Sequence, residues 1–294
     1  MGSVSVSIGD TFGPYRIQRE LGRGGMGQVL LALEEGLGRQ VALKLLPPEL
    51  AERDPTFVTR FLREARSAAA VRHPNVVGVL DAGQVDGTHY IAFEFVDGAS
   101  LEAIVKEGGP LPEARILELT YGLARGLAAV HERGLIHRDV KPDNVLVREA
   151  DGCPLLADLG LAKREDDGET ALTMAGAVLG TPRYMSPEQA LSEDVDSRSD
   201  LYSLGLCVHF MASGQVPFVE KGDSALKILS KRIHGEPADL REVAPVSADL
   251  AYLTRGLCAR QAPDRYSTAL HVVEELERLH AGGPVLGPVA AARA

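Results

Sequence analysis

The chain has 294 residues, of which 45% are hydrophobic and 24% are charged. Its 41 acidic residues outnumber its 31 lysines and arginines, which gives a formal net charge of −10. This balance is ordinary for a globular protein with a large core or two lobes. The acidic excess argues against a general nucleic-acid binder, because such proteins neutralise phosphates with Lys and Arg.

The cysteines and the apolar runs exclude several other classes. Cys153, Cys207 and Cys258 are odd in number and follow no metal-binding spacing, so they predict neither a disulfide framework nor a zinc site. No apolar run approaches the roughly 18–20 residues of a membrane helix. Residues 1–10 lack a secretion signal. We therefore expect a protein of the reducing cytoplasm without a membrane segment.

The first third of the chain is predicted to be rich in β-structure. Apolar and β-branched residues predict five strands, and one segment with helical spacing interrupts them. The predicted strands cover 15–21, 29–33, 40–45, 76–81 and 90–95, and the predicted helix covers 57–71.

The rest of the chain is predicted to be mainly helical, with helices over 113–132, 198–212, 248–258 and 266–280. The second of these is almost wholly apolar after Asp200 and should be a buried central helix. Gly222-Asp223-Ser224 has the composition of a helix cap. A small β-rich lobe followed by a larger α-rich lobe predicts a cleft, where ligands commonly bind.

A glycine-rich turn lies between the first two predicted strands. Gly22, Gly24 and Gly27 are spaced as G-x-G-x-x-G, with Val29 two residues later. Glycines allow a backbone to approach phosphates closely and to direct N–H groups at them. A strand rather than a helix follows, so this is not the dinucleotide-binding form of the motif. An ordinary glycine turn remains the alternative on this motif alone.

Further motifs follow in a fixed order and at compatible spacing. They are VALK at 41–44, Glu64 on the predicted helix, HRDVKPDN at 137–144, DLG at 158–160, SPE at 186–188, Asp200 and Arg265. With these motifs the chain resembles the protein kinases over roughly residues 12–280, and most closely the eukaryotic-like serine/threonine kinases of bacteria.

The resemblance implies an α+β, bilobal protein kinase fold with a small β-rich N-lobe and a larger α-helical C-lobe. The kinase domain would cover 13–280, with the N-lobe at 13–95, a hinge at 94–99 and the C-lobe at 100–280. Residues 1–12 and 281–294 are expected to be flexible ends, since 282–288 are rich in Gly and Pro.

The resemblance also implies transfer of the ATP γ-phosphate to Ser and Thr hydroxyls of proteins, which needs positioning and charge neutralisation more than covalent chemistry. Asp139 would accept or orient the proton of the acceptor hydroxyl. Lys141 would neutralise the moving phosphoryl group, and Lys44 the α- and β-phosphates. Glu64 would pair with Lys44 and hold it in place.

Metal and nucleotide contacts follow from the same resemblance. Asn144 and Asp158 would bind Mg²⁺, with Mn²⁺ as the alternative ion, because both ions prefer hard oxygen ligands. The backbone at Glu94 and Val96 would meet the adenine. The full set of expected ATP-binding residues is Leu21, Gly22, Gly24, Gly27, Val29, Ala42, Lys44, Glu94, Val96 and Leu146.

Residues 161–181 would be the activation segment. Thr173 is the expected primary phosphorylation site and Thr170 the second, with Arg138 as the cation that receives the phosphate. Thr181 would contact Asp139 and Lys141 and shape the platform for protein substrates. The resemblance further implies autophosphorylation and a buried structural ion pair between Glu188 and Arg265.

Two alternative functions are a pseudokinase scaffold and a small-molecule kinase. A pseudokinase scaffold would bind nucleotide or partners without catalysis, but Lys44, Asp139 and Asp158 are all present. A small-molecule kinase would not need the segment 180–188, which builds a protein-substrate platform in the family. Expected partners are therefore ATP and protein substrates, without nucleic acid, and a transient homodimer through the small lobe is compatible with the resemblance.

Overall fold

The computed structural model describes residues 7–24, 27–47, 55–159, 182–220 and 222–288. The chain divides into two compact units, Met1–Asp97 and Gly98–Ala294. The division falls inside the predicted hinge at 94–99.

The described part of the first unit is built on a six-stranded antiparallel sheet and one helix, α1, over Pro55–Ala69. The strand order is β1-β2-β3-β4-β6-β5, so β4 lies inside the sheet between β3 and β6. The strands are β1 Thr11–Phe12, β2 Tyr15–Gly24, β3 Gly27–Glu34, β4 Arg39–Leu45, β5 Val79–Val85 and β6 Thr88–Glu94.

One face of this sheet forms an apolar core with an aromatic cluster at its edge. The Tyr90 ring meets Phe12 and Tyr15 edge to face, with centroids 5.7 and 5.5 Å apart. The hydroxyls of Tyr15 and Tyr90 both donate to Oδ2 of Asp81, at 3.2 and 2.7 Å. Because buried polar groups need partners, this shared carboxylate allows two tyrosines in the core.

The first unit departs from the prediction at two places. The strand predicted over 76–81 forms over Val79–Val85 instead, since pairing with β6 sets its limits, and Val76 and Val77 are buried before it begins. The chain before residue 13 was expected to be flexible. Thr11–Phe12 form β1, and the residues just before it are bonded to β2, because Gly9 N–H donates to Ile17 O and Ile17 N–H donates to Asp10 O. Residues 1–6 lie outside the described part.

The described part of the second unit combines a three-stranded antiparallel sheet with eight helices. The strands, in spatial order, are β7 Gly98–Ser100, β8 Val145–Arg148 and β9 Pro154–Leu156. The helices are α2 Leu101–Gly108, α3 Glu113–His131, α4 Pro187–Leu191, α5 Ser197–Ser213, α6 Ala225–His234, α7 Leu240–Val243, α8 Ala248–Leu257 and α9 Ala269–His280.

The predicted buried central helix is confirmed as α5. Every residue from Ser199 to Ala212 is buried, so the helix is packed by the core on all sides. Asp196 caps its N-terminus by accepting from the N–H of Arg198 at 2.8 Å. Gly214 ends it with a φ of 71°, a left-handed conformation that glycine adopts without strain.

Two helix starts show how caps set boundaries. The predicted cap at Ser224 is confirmed, since its hydroxyl accepts from the N–H of Lys227 at 3.3 Å and begins α6. The helix predicted from residue 266 begins at Ala269, because Thr268 is extended and caps it.

The chain after α9 also differs from the expected flexible tail. Val285 is buried, and its N–H donates to Asp249. The N–H groups of Leu286 and Gly287 donate to Oε2 of Glu275 at 2.6 and 3.1 Å. These side-chain acceptors hold the chain at 285–287 in place. Residues 289–294 lie outside the described part.

The three cysteines, all of them described, form no disulfide. Cys207 and Cys258 lie in the core of the second unit, where burial raises the pKa of both thiols, that of Cys258 to about 12. Cys153 is partly exposed in the turn between β8 and β9. Within the described ranges, every helix is too short or too polar to cross a bilayer.

Candidate active site

The loop between α3 and β8 brings three predicted site residues together. Nζ of Lys141 lies 2.8 Å from Oδ2 of Asp139. Nδ2 of Asn144 donates to both the backbone O and Oδ2 of Asp139, each at 2.9 Å. One carboxylate, one ammonium group and one amide therefore form a single hydrogen-bonded group, which is what positioning of a hydroxyl beside a transferring phosphoryl group requires.

A buried carboxylate from α5 holds this loop. Asp200 is 1% exposed, and its two oxygens accept from the backbone N–H groups of His137 and Arg138, both at 2.8 Å. Nε2 of His131 lies 2.8 Å from Oδ2 of the same residue. Because backbone N–H groups cannot be left unpaired in a core, Asp200 fixes the backbone just before Asp139.

The loop continues into the residues expected to bind the metal. The turn Pro142–Asn144 leads directly into β8, and O of Asn144 accepts from the N–H of Ala157, next to Asp158. Both side-chain bonds of Asn144 are donated by its nitrogen, which leaves its oxygen as the chemically suitable metal ligand. An amide oxygen and the Asp158 carboxylate fit a hard divalent ion that also binds phosphates.

Two residues here have left-handed backbones although neither is glycine. The φ angles of Arg138 and Asp158 are 62° and 53°. Such conformations are uncommon for residues with a side chain and persist where surrounding contacts enforce them. Arg138 directly precedes the expected base Asp139, and Asp158 is one of the expected metal ligands.

In the first unit the sheet places the predicted nucleotide residues on one face. Val41, Leu43 and Leu45 of β4 point into the apolar core, so Ala42 and Lys44 point to the opposite face. Val29 of β3 lies directly across from Lys44 and shares that face. Lys44 is only 8% exposed.

The glycine-rich turn is the hairpin between β2 and β3. Gly22 pairs with Val29 and Gly24 with Gly27, while residues 25–26 lie outside the described part. Gly27 has a φ of 124°, and a Cβ there would stand 2.0 Å from O of Leu45. Only glycine therefore fits this position.

The other nucleotide-binding candidates occupy strands or strand ends. Leu21 lies on β2, Glu94 ends β6, and Val96 is buried just after it. Leu146 lies on β8 of the second unit, opposite Ser100 and Leu155. Their contact with a nucleotide stays a prediction.

Several candidates lie outside what the structure describes. Glu64 is on α1, but its side chain is not among the described ones, so its pairing with Lys44 stays a prediction. Thr170, Thr173 and Thr181 also lie outside the described residues, which resume at Pro182.

The segment after residue 181 is anchored by an arginine that sequence reasoning missed. Arg232 of α6 is 0% exposed and donates to the carbonyl oxygens of Met185 and Arg183, at 3.0 and 2.6 Å. Arginine is rarely fully buried, so nothing local in the sequence marked this residue. The helical spacing of Ile228, Leu229 and Arg232 after the Ser224 cap could have revealed the helix but not this role.

The predicted ion pair between Glu188 and Arg265 is confirmed. Two parallel bonds of 2.7 and 2.8 Å join the guanidinium to the carboxylate, and Ser199 Oγ adds a third at 2.5 Å. Burial opposes ionisation of Glu188, but the hydrogen bonds and charge of Arg265 outweigh it and lower the pKa to about 2. The pair ties the start of α4 to the segment before α9.

Comparisons with known proteins agree with this geometry. The protein kinase domain family matches residues 15–276. The serine/threonine-protein kinase PknB of Mycobacterium leprae is 38% identical over 279 residues, which are 93% of this chain and 44% of that protein. The protein of the same name from Mycolicibacterium smegmatis is 38% identical over 273 residues, 91% of this chain and 43% of that protein. The chain thus spans less than half the length of these curated relatives.

A solved structure supports the fold. The crystal structure of the Mycobacterium tuberculosis PknI kinase domain matches with a TM-score of 0.73 and 30% identity, covering 93% of this chain and 99% of that one. The predicted bilobal kinase fold and the predicted family are both confirmed, and this family uses ATP and a divalent metal ion. The chain therefore belongs to the protein kinase family, among the eukaryotic-like serine/threonine kinases of bacteria.

Proposed function

We propose that this chain transfers the γ-phosphate of Mg-ATP to serine and threonine hydroxyls of protein substrates. The observation that carries the proposal is the hydrogen-bonded group of Asp139, Lys141 and Asn144. The buried Asp200 holds the backbone of the same loop. Phosphoryl transfer is accelerated mainly by positioning and charge stabilisation, and this group supplies both.

The two ends of this group have different tasks. The Asp139 carboxylate accepts a hydrogen bond from the acceptor hydroxyl and takes its proton as the new P–O bond forms, while the bond from the γ-phosphorus to the β-phosphate oxygen breaks and ADP leaves. Lys141, 2.8 Å from Oδ2 of Asp139, neutralises negative charge on the phosphoryl oxygens. Because Lys141 contacts Asp139 directly, it also limits the positions that this carboxylate can adopt.

The metal ligands are Asn144, through its amide oxygen, and Asp158, through its carboxylate. A bound Mg²⁺, or Mn²⁺ in its place, supplies positive charge beside the β- and γ-phosphates. Asn144 is held in orientation by the two bonds that its nitrogen donates to Asp139. The same side chain therefore links the position of the metal to that of the base.

The first unit supplies the nucleotide contacts. Lys44 neutralises the α- and β-phosphates, and the N–H groups of the glycine-rich hairpin approach the phosphate chain. Val29 and Ala42 share the sheet face of Lys44 and contact the adenine ring. Glu64 holds Lys44 by an ion pair, and the backbone at Glu94 and Val96 meets the purine edge.

Regulation and substrate binding rest on the segment before residue 182. We place the phosphorylation sites at Thr173 and then Thr170, with Arg138 as the docking cation. Thr181 orders the platform for the protein substrate. The catalytic domain acts in the cytoplasm, where ATP is available. Its self-association, through the small lobe, is transient.

The test is phosphate transfer itself. Wild-type protein and Asp158→Asn are incubated with Mg-ATP and dephosphorylated casein, and incorporated phosphate is located by mass spectrometry. We expect phosphoserine or phosphothreonine with wild type and a loss of about 100-fold or more with Asp158→Asn, since a carboxylate on the metal is removed. Circular dichroism checks that the variant is folded. Equal turnover of both proteins would contradict the metal assignment, and an inactive wild type would favour the scaffold alternative.

A further inference from the structure

The backbone of Arg138 is held at both ends. Its φ of 62° lies in the left-handed region, which costs free energy for a residue with a side chain. Its N–H donates to Oδ1 of Asp200 at 2.8 Å. Its carbonyl oxygen accepts from Nε2 of Gln189 at 3.0 Å, from a residue 51 positions later in the chain. The strained conformation is therefore enforced by one partner on each side.

Gln189 is itself fixed by a capping box at the start of α4. Its Oε1 accepts from the N–H of Ser186 at 2.9 Å, and its own N–H donates to Oγ of Ser186 at 3.4 Å. A backbone N–H can only donate and a carbonyl oxygen can only accept. The two partners therefore determine which end of the Gln189 amide is oxygen and which is nitrogen.

The bond to the Arg138 carbonyl acts directly on Asp139. That carbonyl and the N–H of Asp139 belong to one planar peptide group, so fixing the first fixes the second. The Asp139 N–H also donates to Nδ1 of His137, at the longer distance of 3.4 Å. Gln189 is thus the closer restraint on this peptide plane, from which the Asp139 side chain departs.

We infer that Gln189 is a positioning residue that couples the segment at 182–186 to the catalytic loop. Its oxygen holds the start of α4, and its nitrogen holds the peptide group before Asp139. A change in the chain at 182–186 is transmitted to the base through this side chain. The inference rests on the proposed role of Asp139 and extends it to a second segment of the chain.

The test separates the two ends of the amide. Gln189→Glu keeps an oxygen for the Ser186 N–H but loses the donor and places a carboxylate against the Arg138 carbonyl. We expect kcat for casein to fall about 10- to 100-fold, because small displacements of a catalytic group have effects of that size. KM for ATP should not change, since Gln189 does not touch the expected nucleotide residues.

Ser186→Ala is the matched control. It removes the hydroxyl from the same capping box but keeps the bond from Gln189 to Arg138, so thermal stability should fall while kcat stays near wild type. Gln189→Met, which removes both polar atoms without adding charge, replaces Gln189→Glu if that variant does not fold. Wild-type kcat in a folded Gln189→Glu or Gln189→Met, or equal losses of kcat in Ser186→Ala, would overturn the inference.

A second measurement does not depend on activity. Hydrogen exchange of the backbone amides at 137–144, followed by mass spectrometry, should be faster in both Gln189 variants than in wild type and Ser186→Ala. If wild type proves inactive while these amides respond as expected, the proposed function fails and the coupling stands. Unchanged exchange in the Gln189 variants would show that the catalytic loop does not depend on this bond.

Discussion

Two buried carboxylates near the start of α5 have different kinds of partner, Asp200 within α5 itself and Glu188 in the preceding helix α4. Asp200 accepts from two backbone N–H groups and contacts the His131 ring. Glu188 meets the full charge of Arg265 through two parallel bonds, with Ser199 as a third partner. Ser199 and Asp200 are neighbours in α5, so one helical turn serves both systems.

The two carboxylates should therefore control different properties, one the position of the catalytic loop and the other the stability of the fold. The bonds to Asp200 end on the backbone of the catalytic loop, so their main effect is on where Asp139 lies. The Glu188–Arg265 pair joins the start of α4 to the segment before α9, and both of its bonds end on side chains and not on the backbone of the catalytic loop. Breaking a buried pair leaves a charge without its partner, which is one of the most destabilising single changes known. We therefore expect the first system to control activity and the second to control folding.

The largest expected effect on stability is that of Arg265→Met. It should lower the free energy of unfolding by about 3–5 kcal/mol, because Glu188 stays buried without a counter-charge. Urea unfolding followed by circular dichroism measures it. The double variant with Glu188→Met should cost less than the sum of the two single changes, since the lone charge is then removed. A loss below about 1 kcal/mol for Arg265→Met, the range of an exposed pair, would contradict the burial of this pair.

Asp200→Asn should show the reverse balance. One of the two backbone N–H groups loses its acceptor, which costs about 1–3 kcal/mol. Phosphoryl transfer should fall about 100-fold, since the catalytic loop shifts. Asp196→Asn is the matched control, because Asn also caps helices well and this residue does not touch the loop. Equal activity of the two variants would show that Asp200 does not position the catalytic loop.

The Glu188 system should also respond to acid. Its folded-state pKa of about 2 lies below the ordinary value of 4.5. The stability that it contributes is therefore complete above pH 4.5 and is lost progressively as pH falls towards 2. Urea midpoints at pH 5 and pH 3 should differ more in wild type than in Glu188→Gln. The same pH dependence in both proteins would show that other carboxylates cause the loss of stability in acid.

Ser199→Ala should have the smallest effect. It removes one hydroxyl bond from Glu188 but leaves both bonds from Arg265, so we expect a loss of about 1 kcal/mol. Ser230→Ala on the exposed side of α6 controls for the change in side chain. Differential scanning calorimetry of the two variants measures the difference, and identical melting temperatures would mean that the hydroxyl adds nothing to the pair.

Local patterns predicted most of the fold but not its exact limits. The apolar run after Asp200 identified α5, and alternation identified β3 and β4. Both patterns depend only on residues that are close together in the sequence. The start of β5 was missed by three residues, since its limits depend on pairing with β6. The hydrogen bonds of Leu286 and Gly287 could not be predicted locally, because their acceptor, Glu275, is on another element.

The residues of the candidate site show the same contrast between local motifs and distant contacts. Asp139, Lys141, Asn144 and Asp158 could be proposed as site residues because their motifs are short and ordered. The supports of the loop were missed or left without a stated partner, since they are distant in sequence. Gln189 acts on a carbonyl 51 residues earlier, and Arg232 acts on carbonyls 47 and 49 residues earlier. Contacts of this range are fixed by the fold and not by spacing.

The unequal burial of the three thiols has a practical consequence. Thiol-reactive probes attack the thiolate, so the buried and raised-pKa Cys207 and Cys258 should resist them in the folded protein. Cys153 is partly exposed, in the hairpin turn that leads into Asp158 five residues later. The unaltered chain thus offers one selective attachment point for a fluorophore or spin label, placed to report on the segment around β9 and Asp158 without any engineered cysteine.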